Sequence, residues 1–151
     1  MKLKFLAYTI LSFIWSAIKP NSIGIRVMLI RNKHILLVKH SYQDVWYFPG
    51  GGVKRGEKLE DAAKREIAEE VDGVCGHLEL FGTYTNVSDQ KNNYVIVFKA
   101  TDFTFNETYK SFEISEVQLF EIENLPSNIS RGTYNRIMEY MNGSHAIIGH
   151  W

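Results

Sequence analysis

Three glutamates of one predicted helix are the residues of this sequence best suited to chemistry. Glu66, Glu69 and Glu70 are spaced by three and one residues, so at about 100° of rotation per residue they fall within an arc of roughly 100°. Carboxylate oxygens without thiolate or imidazole partners suit a hard divalent cation such as Mg²⁺ or Mn²⁺. The spacing is compatible with a metal site, but taken alone it is more often an acidic helix face in solvent.

The same helix carries an apolar stripe beside the acids. Ala63, Ile67 and Val71 recur every four residues, which is typical of a helix face that packs on a core. The acids are therefore expected on the flank between the core and solvent. Arg65, four residues before Glu69, is placed to neutralise part of the repulsion between them.

A run of three glycines, Gly50 to Gly52, precedes this helix. Glycine has no Cβ, so Gly51 and Gly52 allow the backbone to approach the acids or a bound group closely. The alternative for such a run is a flexible turn. Because the run lies directly before an acidic helix, we expect it to be part of a functional site.

The spacing of these residues resembles the signature of the Nudix hydrolase family. Its fixed positions correspond here to Gly51, Glu57, Arg65, Glu66, Glu69 and Glu70. The preceding segment Trp46 to Val53 is similar to the aromatic, proline and glycine segment of many members. The chain departs from the pattern at Asp72, where the family usually has glycine. Either Gly73 caps the helix one residue late, or Asp72 itself adopts the left-handed conformation.

The resemblance implies an α/β fold, the Nudix-type α/β/α sandwich with a mixed β-sheet, over residues 21–151. It also implies a Mg²⁺-dependent pyrophosphohydrolase, with Mn²⁺ as an alternative ion, that cleaves a nucleoside diphosphate linked to another group X. The implied metal ligands are Glu66, Glu69, Glu70 and the carbonyl of Gly50. A hypothesis from a different class is a noncatalytic Nudix-fold sensor that binds a nucleotide without turnover.

The resemblance gives supporting roles to further charged residues. Glu57 and Arg65 are expected to orient the acids through charge-assisted hydrogen bonds. The general base is expected to be Glu66 or a carboxylate of a later loop. Glu113 and Glu116 are the loop candidates, because family members often place a glutamate shortly before a strand that ends in an aromatic residue, as Phe120 is here. The alternative is that Glu113 and Glu116 are acidic loop residues in solvent without a catalytic role.

Aromatic residues near the glycines are the candidates for substrate binding. Tyr42, Trp46, Tyr47 and Phe48 are placed to stack on a nucleobase. His40 is placed to donate a hydrogen bond to a phosphate. The alternative is that these residues belong to the core or have a structural role.

Composition limits the classes of partner and compartment. The chain has 151 residues with 17 basic and 17 acidic side chains, so it is long enough for one domain and has no general field to attract nucleic acid. A small-molecule nucleotide substrate fits better. Cys75 is the one cysteine of the sequence, which excludes an intramolecular disulfide and fits a cytoplasmic protein.

The N-terminal segment is apolar between lysines. Residues 1–20 are predicted to form a helix that packs on the domain or in a homodimer contact, because Phe5 to Ile18 is almost wholly apolar. This stretch is shorter than the about 20 residues that a membrane span needs. Membrane association, export and a tethering role remain alternatives.

The rest of the chain predicts strands and one more helix. The predicted elements are a hairpin of Ile23 to Ile30 with His34 to His40, strands at Leu78 to Thr85, Tyr94 to Ala100 and Val117 to Ile122, a polar turn from Asn86 to Asn93, and a last helix that Ser130 caps and Gly143 ends. Strands that alternate with helices suggest a mixed sheet covered on both faces.

Overall fold

A computed structural model of the chain describes residues 22–88 and 91–151, so the predicted helix of residues 1–20 lies outside the described residues. The described elements are β1 (Ser22–Arg31), β2 (His34–His40), β3 (Trp46–Tyr47), α1 (Leu59–Val71), β4 (Glu79–Ser88), β5 (Lys91–Ala100), β6 (Ile114–Glu121), α2 (Arg131–Met141) and β7 (Ile147–His150). The predicted hairpin and both predicted helices after residue 21 are confirmed. The short strands β3 and β7 were not predicted.

The strands of the described ranges form one mixed sheet of seven strands. Its path is β3-β2-β1-β5-β4-β7, and β6 pairs with the other side of β2. The β1–β5 and β4–β7 pairs are parallel, and the remaining pairs are antiparallel. β1 is therefore central, which explains why its side chains are apolar on both faces.

A helix covers each face of the sheet. On one face α1 buries Ala63 and Ile67 in an apolar cluster with Ile25 of β1. On the other face α2 buries Ile137 in a second cluster with Met28 of the same strand. These two layers around the sheet confirm the predicted α/β/α sandwich.

The end of α1 resolves the two alternatives for its cap. Asp72 itself has left-handed angles, φ 48° and ψ 49°, and its carboxylate accepts a hydrogen bond from Asn106 Nδ2 at 3.1 Å. Gly73 has a different role, because a Cβ there would lie 2.0 Å from the Thr104 carbonyl oxygen. The late cap by Gly73 is thus wrong, and Gly73 allows close packing instead.

The predicted polar turn between Asn86 and Asn93 is wrong in its extent. β4 continues to Ser88 and β5 begins at Lys91, with these two residues paired. The ladder is made by backbone N–H and C=O groups, which residues with polar side chains also carry, so polarity alone does not mark a turn. Within the described ranges, no helix has the length and apolar character required to cross a membrane.

Candidate active site

The three glutamates of α1 lie in two environments. Glu66 and Glu70 are buried, while the side chain of Glu69 is largely exposed. This division follows from helix geometry, because Glu66 and Glu70 are one turn apart and adjoin the stripe of Ile67 that packs on the sheet. Two carboxylates therefore face the interior, and the third faces solvent beside them.

The glycine loop is packed between β1 and the buried glutamates. The N–H of Gly50 donates a hydrogen bond of 2.8 Å to Oε2 of Glu70, and the N–H of Ile25 donates to the Gly51 carbonyl at 2.9 Å. A Cβ on Gly51 would lie 2.6 Å from Oε1 of Glu66. Gly50 has φ +142°, a conformation that side chains disfavour. The run is thus a fitted loop rather than a flexible turn.

Arg65 connects three of the acids. Its guanidinium donates two hydrogen bonds to the Glu57 carboxylate, at 2.7 and 2.9 Å, and further ones to Glu66 Oε1 at 2.5 Å and Glu69 Oε2 at 3.2 Å. These bonds to Arg65, together with the Lys54 N–H, lower the pKa of Glu57 to about 2. The pKa of Arg65 is raised chiefly by Glu57. Arg65 therefore stays charged and fixes the orientation of Glu66.

Burial dominates the electrostatics of Glu70. It raises the pKa of this carboxyl to about 7, while the Gly50 N–H and the Arg26 guanidinium act in the opposite direction. A divalent cation favours the ionised form of such a group, because it supplies the positive charge that solvent does not. The carboxylate donor set of α1 fits a hard cation, and the absence of a Cβ at Gly51 leaves the Glu66 carboxylate its position against the loop.

A second group of potential ligands lies beside Glu70. One ligand atom each from His40, Glu70 and Glu113 lie within 4.8 Å of one another. The side chain of His40 is only 9% exposed, and its Nδ1 lies 4.0 Å from Glu113 Oε1. This Nδ1 has no hydrogen-bond partner among the residues that the structure describes. Burial lowers the pKa of His40, and Arg26 acts in the same direction.

Strand pairing brings Glu113 to this position. The N–H and the hydroxyl of Ser41 donate hydrogen bonds of 2.8 Å to the carbonyls of Glu113 and Phe112, respectively. The β2–β6 register is interrupted at His40, which is paired with Ile114. The start of β6 is thereby fastened to the end of β2, and Glu113 lies next to His40 although 73 positions separate them in the sequence.

Glu116, the other loop candidate for a general base, is engaged elsewhere. Its carboxylate lies 2.8 Å from Lys39 Nζ, which also contacts Asp44 at 3.2 Å. The hydrogen bond from Glu116 is the largest cause that raises the pKa of Lys39. The Glu116 carboxylate thus neutralises a lysine, and its role as a general base stays a prediction.

The aromatic residues predicted to bind substrate fall into two groups, one beside His40 and one in the core. Tyr42 is 66% exposed and stacks on His40, with ring centroids 5.2 Å apart, while Tyr47 meets the edge of the same imidazole at 5.6 Å. Trp46 and Phe48 are buried in the cluster beneath α2. Their burial corrects the prediction that they stack on a nucleobase, because both side chains fill the core.

Sequence reasoning missed Arg26. Its Nη1 donates a hydrogen bond to the Gly50 carbonyl, which is the carbonyl predicted as a metal ligand and which keeps a second lone pair. The signal was present in the sequence, because an arginine between the buried residues Ile25 and Val27 needs a partner for its charge. Arg26 thus places a positive charge beside Glu70 and His40.

Fold and site together define a class of protein. It is an α/β/α sandwich in which a glycine loop and an acidic helix hold buried carboxylates suited to a divalent cation. A family model described as NUDIX domain matches residues 20–140. The chain belongs to the Nudix family.

Individual relatives agree with this assignment. The chain is 41% identical over 75 residues to mouse diphosphoinositol polyphosphate phosphohydrolase 3-alpha. The matched segment covers 48% of this chain and 45% of that protein. It is 26% identical over 109 residues to ADP-ribose pyrophosphatase of Methanocaldococcus jannaschii. This match covers 70% of this chain and 64% of the relative. Each match spans less than two thirds of the relative's length.

A solved structure shows the same fold. The MutT NUDIX hydrolase from Burkholderia pseudomallei superimposes with a TM-score of 0.72 at 21% identity, over 80% of this chain and 98% of that chain. At this identity the similarity establishes the fold alone.

Proposed function

We propose that this chain is a divalent-cation-dependent pyrophosphohydrolase that cleaves a nucleoside diphosphate linked to another group X. The observation that carries the proposal is the arrangement of Glu66 and Glu70, two buried carboxylates that face a glycine loop with no room for a side chain at Gly51. Arg65 and the Gly50 N–H offset part of the cost of burying these acids, but burial still raises the pKa of Glu70 to about 7. A bound cation would supply the remaining compensation.

Glu66, Glu69 and Glu70 are the residues that would hold the cation, with Mg²⁺ as the expected ion. When bound, such an ion supplies positive charge to the phosphate oxygens and acidifies water. Arg65 prepares the site, because its hydrogen bonds to Glu66 and Glu69 fix the carboxylates before any ligand arrives. Glu57 in turn fixes Arg65 through two hydrogen bonds.

Two carboxylates are placed to accept the proton of the attacking water. Glu66 belongs to α1, and Glu113 lies immediately before β6 and beside Glu70. The side chain of Glu113 is 63% exposed, so it can reach a water molecule at the surface of the site. Arg26 contributes a positive charge near Glu70, which favours an anionic substrate.

The substrate class follows from the open face of Tyr42. One face of its ring packs on His40, and the side chain remains mostly exposed, so the other face is available for a planar group. Base stacking on an aromatic side chain contributes about 1–3 kcal/mol in nucleic-acid sites. ADP-ribose, which carries a base, is the substrate in the name of one relative. We therefore favour a nucleotide over a substrate without a base.

A substrate panel tests this proposal. Purified full-length protein with Mg²⁺ or Mn²⁺ is incubated with ADP-ribose, nucleotide sugars, nucleoside triphosphates, dinucleoside polyphosphates and a diphosphoinositol polyphosphate, and the products are separated by chromatography. We expect a nucleoside monophosphate from one nucleotide class. Tight binding of a nucleotide without turnover in either metal would instead indicate a noncatalytic sensor, and turnover of the inositol compound alone would overturn the assignment of Tyr42.

The cellular compartment is also a proposal. We infer a cytoplasmic location, which the single cysteine of the sequence supports because no disulfide can form within the chain. Fractionation of cells that express the full chain measures this directly. Recovery of the native protein with membranes would contradict the inference and would support an anchoring role for residues 1–20.

A further inference from the structure

We propose that His40, Glu70 and Glu113 form a second cation site with one imidazole donor, and that this site binds Mn²⁺ in preference to Mg²⁺. The inference deepens the proposed function, since Glu70 belongs to both sites. It adds a nitrogen ligand from β2 and a carboxylate from the residue before β6 to the acids of α1.

The first observation is the buried nitrogen of His40. Its Nδ1 is inaccessible to solvent and has no hydrogen-bond partner within residues 22–88 and 91–151. Buried polar atoms are paired in the great majority of cases, so one without a partner calls for a ligand. The atom faces the carboxylate of Glu113 at 4.0 Å, and Glu70 completes the group within 4.8 Å.

The second observation is the distance itself. A separation of 4.0 Å between His40 Nδ1 and Glu113 Oε1 is too long for a hydrogen bond. It is close to the separation of about 4.2 Å expected for two ligands on opposite sides of an ion with bonds of about 2.1 Å. The exposed side chain of Glu113 can rotate to adjust the geometry, and the buried Glu70 and His40 supply the fixed side.

The third observation is that the imidazole is held in place. Tyr42 stacks on it with an interplanar angle of 30°, and Tyr47 packs against it at an angle of 62°. These contacts fix the ring before a cation binds, so binding does not have to order the imidazole. Glu113 can bind through one oxygen and still accept a proton through the other.

The donor set selects the ion. Mg²⁺ is bound through oxygen atoms and keeps much of its water, whereas imidazole suits first-row transition ions. Two carboxylates and one neutral imidazole therefore favour Mn²⁺ over Mg²⁺. The charged groups that face His40 are Arg26, Glu70 and Glu113. The two ionised carboxylates balance the charge of a divalent ion, and Arg26, which donates a hydrogen bond to the Gly50 carbonyl, adds one further positive charge beside the site.

Metal binding to the full-length protein, without substrate, tests the proposal. Mn²⁺ is titrated while the EPR signal of the free ion is recorded, and pulsed EPR of the bound ion detects magnetic coupling to a ligand nitrogen. We expect nitrogen coupling in the wild type and its loss in His40→Gln. We also expect His40→Gln to weaken Mn²⁺ binding by about tenfold or more and Mg²⁺ binding by less than about twofold.

The matched control is His34→Gln. His34 lies on the same strand, and its partly exposed imidazole Nδ1 is 2.9 Å from the Asn32 carbonyl oxygen. This variant should retain the nitrogen coupling and the Mn²⁺ affinity of the wild type. Glu113→Gln should weaken Mn²⁺ binding while the coupling to His40 remains. Circular dichroism and thermal unfolding confirm that each variant is folded.

Two outcomes would overturn the inference. One is bound Mn²⁺ without nitrogen coupling in the wild type, and the other is an unchanged ratio of Mn²⁺ to Mg²⁺ affinity in His40→Gln. Failure of the proposed function is distinguishable from either outcome. Hydrolysis in Mg²⁺ without nitrogen coupling would refute the second site alone, whereas nitrogen coupling without turnover of any substrate would refute the hydrolase alone.

Discussion

The backbone N–H of Gly50 donates a hydrogen bond of 2.8 Å to Oε2 of Glu70. The residues lie on opposite sides of the site, one in the glycine loop and the other on α1. The bond holds a buried carboxylate in a position where its burial raises its pKa to about 7. The position of the glycine loop and the ionisation of Glu70 are therefore coupled, and substitutions in the loop or on α1 should change stability or cation binding.

Glu70→Gln is expected to stabilise the metal-free protein at pH 8. Because the folded-state pKa of Glu70 is raised from 4.5 to about 7, its contribution to stability is fully present below pH 4.5 and is lost as the pH rises through 7. The loss amounts to about 3 kcal/mol of unfolding free energy, since one pKa unit corresponds to about 1.4 kcal/mol. Glutamine does not ionise and avoids this loss.

Urea unfolding in EDTA at pH 4.5 and pH 8 measures the effect. The variant and the wild type should have similar unfolding free energies at the lower pH and should diverge at the higher one. A wild type that is as stable as Glu70→Gln at pH 8 would show that Glu70 ionises freely in the fold.

Gly51→Ala and Gly52→Ala should differ although they are adjacent. A Cβ on Gly51 meets the Glu66 carboxylate at 2.6 Å, whereas a Cβ on Gly52 has no described atom within 4 Å. The first substitution displaces the carboxylate, which is the end of a flexible side chain, so it should weaken cation binding by about tenfold or more with little loss of stability. The second should leave cation binding unchanged.

Calorimetric titration with Mg²⁺ compares the two glycine variants. Equal affinities in both variants would show that Glu66 does not bind the cation in the position seen here. Gly52→Ala serves as the control for changed loop entropy, because both substitutions remove one glycine from the unfolded chain.

Glu57→Gln should remove part of the acid sensitivity of the fold. The folded-state pKa of Glu57 is lowered from 4.5 to about 2, chiefly by hydrogen bonds from Arg65. Its contribution to stability is therefore present above pH 4.5 and is lost as the pH falls toward 2. Thermal unfolding between pH 2 and pH 6 should show a shallower decline in the variant, and curves of equal slope would contradict the proposed pairing.

Local pattern was sufficient to predict α1 and its loop. The spacing of Glu66, Glu69 and Glu70 defines one side of a helix, and Gly51 is required by the close approach of Glu66. Asp72 showed the limit of this reasoning, because its side chain tolerates the left-handed conformation and two helix ends were equally consistent with the sequence. Helix-ending propensity does not distinguish these two ends, and the tertiary contacts decide between them.

Contacts between distant segments could not be predicted. His40 and Glu113 were each candidates, but their meeting with Glu70 depends on the register of β2 with β6. The same register places the Glu116 carboxylate beside Lys39. Trp46 illustrates a further limit, since aromatic residues stack on ligands and fill cores equally well, and only the packing distinguishes the two.

Tyr42→Leu should raise the KM for a nucleotide substrate and leave kcat nearly unchanged. Loss of stacking worth about 1–3 kcal/mol corresponds to a change of roughly 5- to 150-fold. Tyr134→Leu is the matched control, because Tyr134 is also exposed but lies on α2. Steady-state kinetics with the best substrate of the panel measures both parameters. An equal KM in Tyr42→Leu and Tyr134→Leu would contradict a role of Tyr42 in substrate binding.

The most direct test of the central claim is hydrolysis of a pyrophosphate substrate by the wild type, Glu66→Gln and Glu60→Gln in saturating Mg²⁺. Glu60 lies on the exposed side of the same helix, so its variant controls for the loss of one negative charge from α1. We predict turnover in the wild type and in Glu60→Gln, and a loss of kcat of about 100-fold or more in Glu66→Gln. Equal turnover in all three proteins would contradict the assignment of the active site to the buried acids of α1.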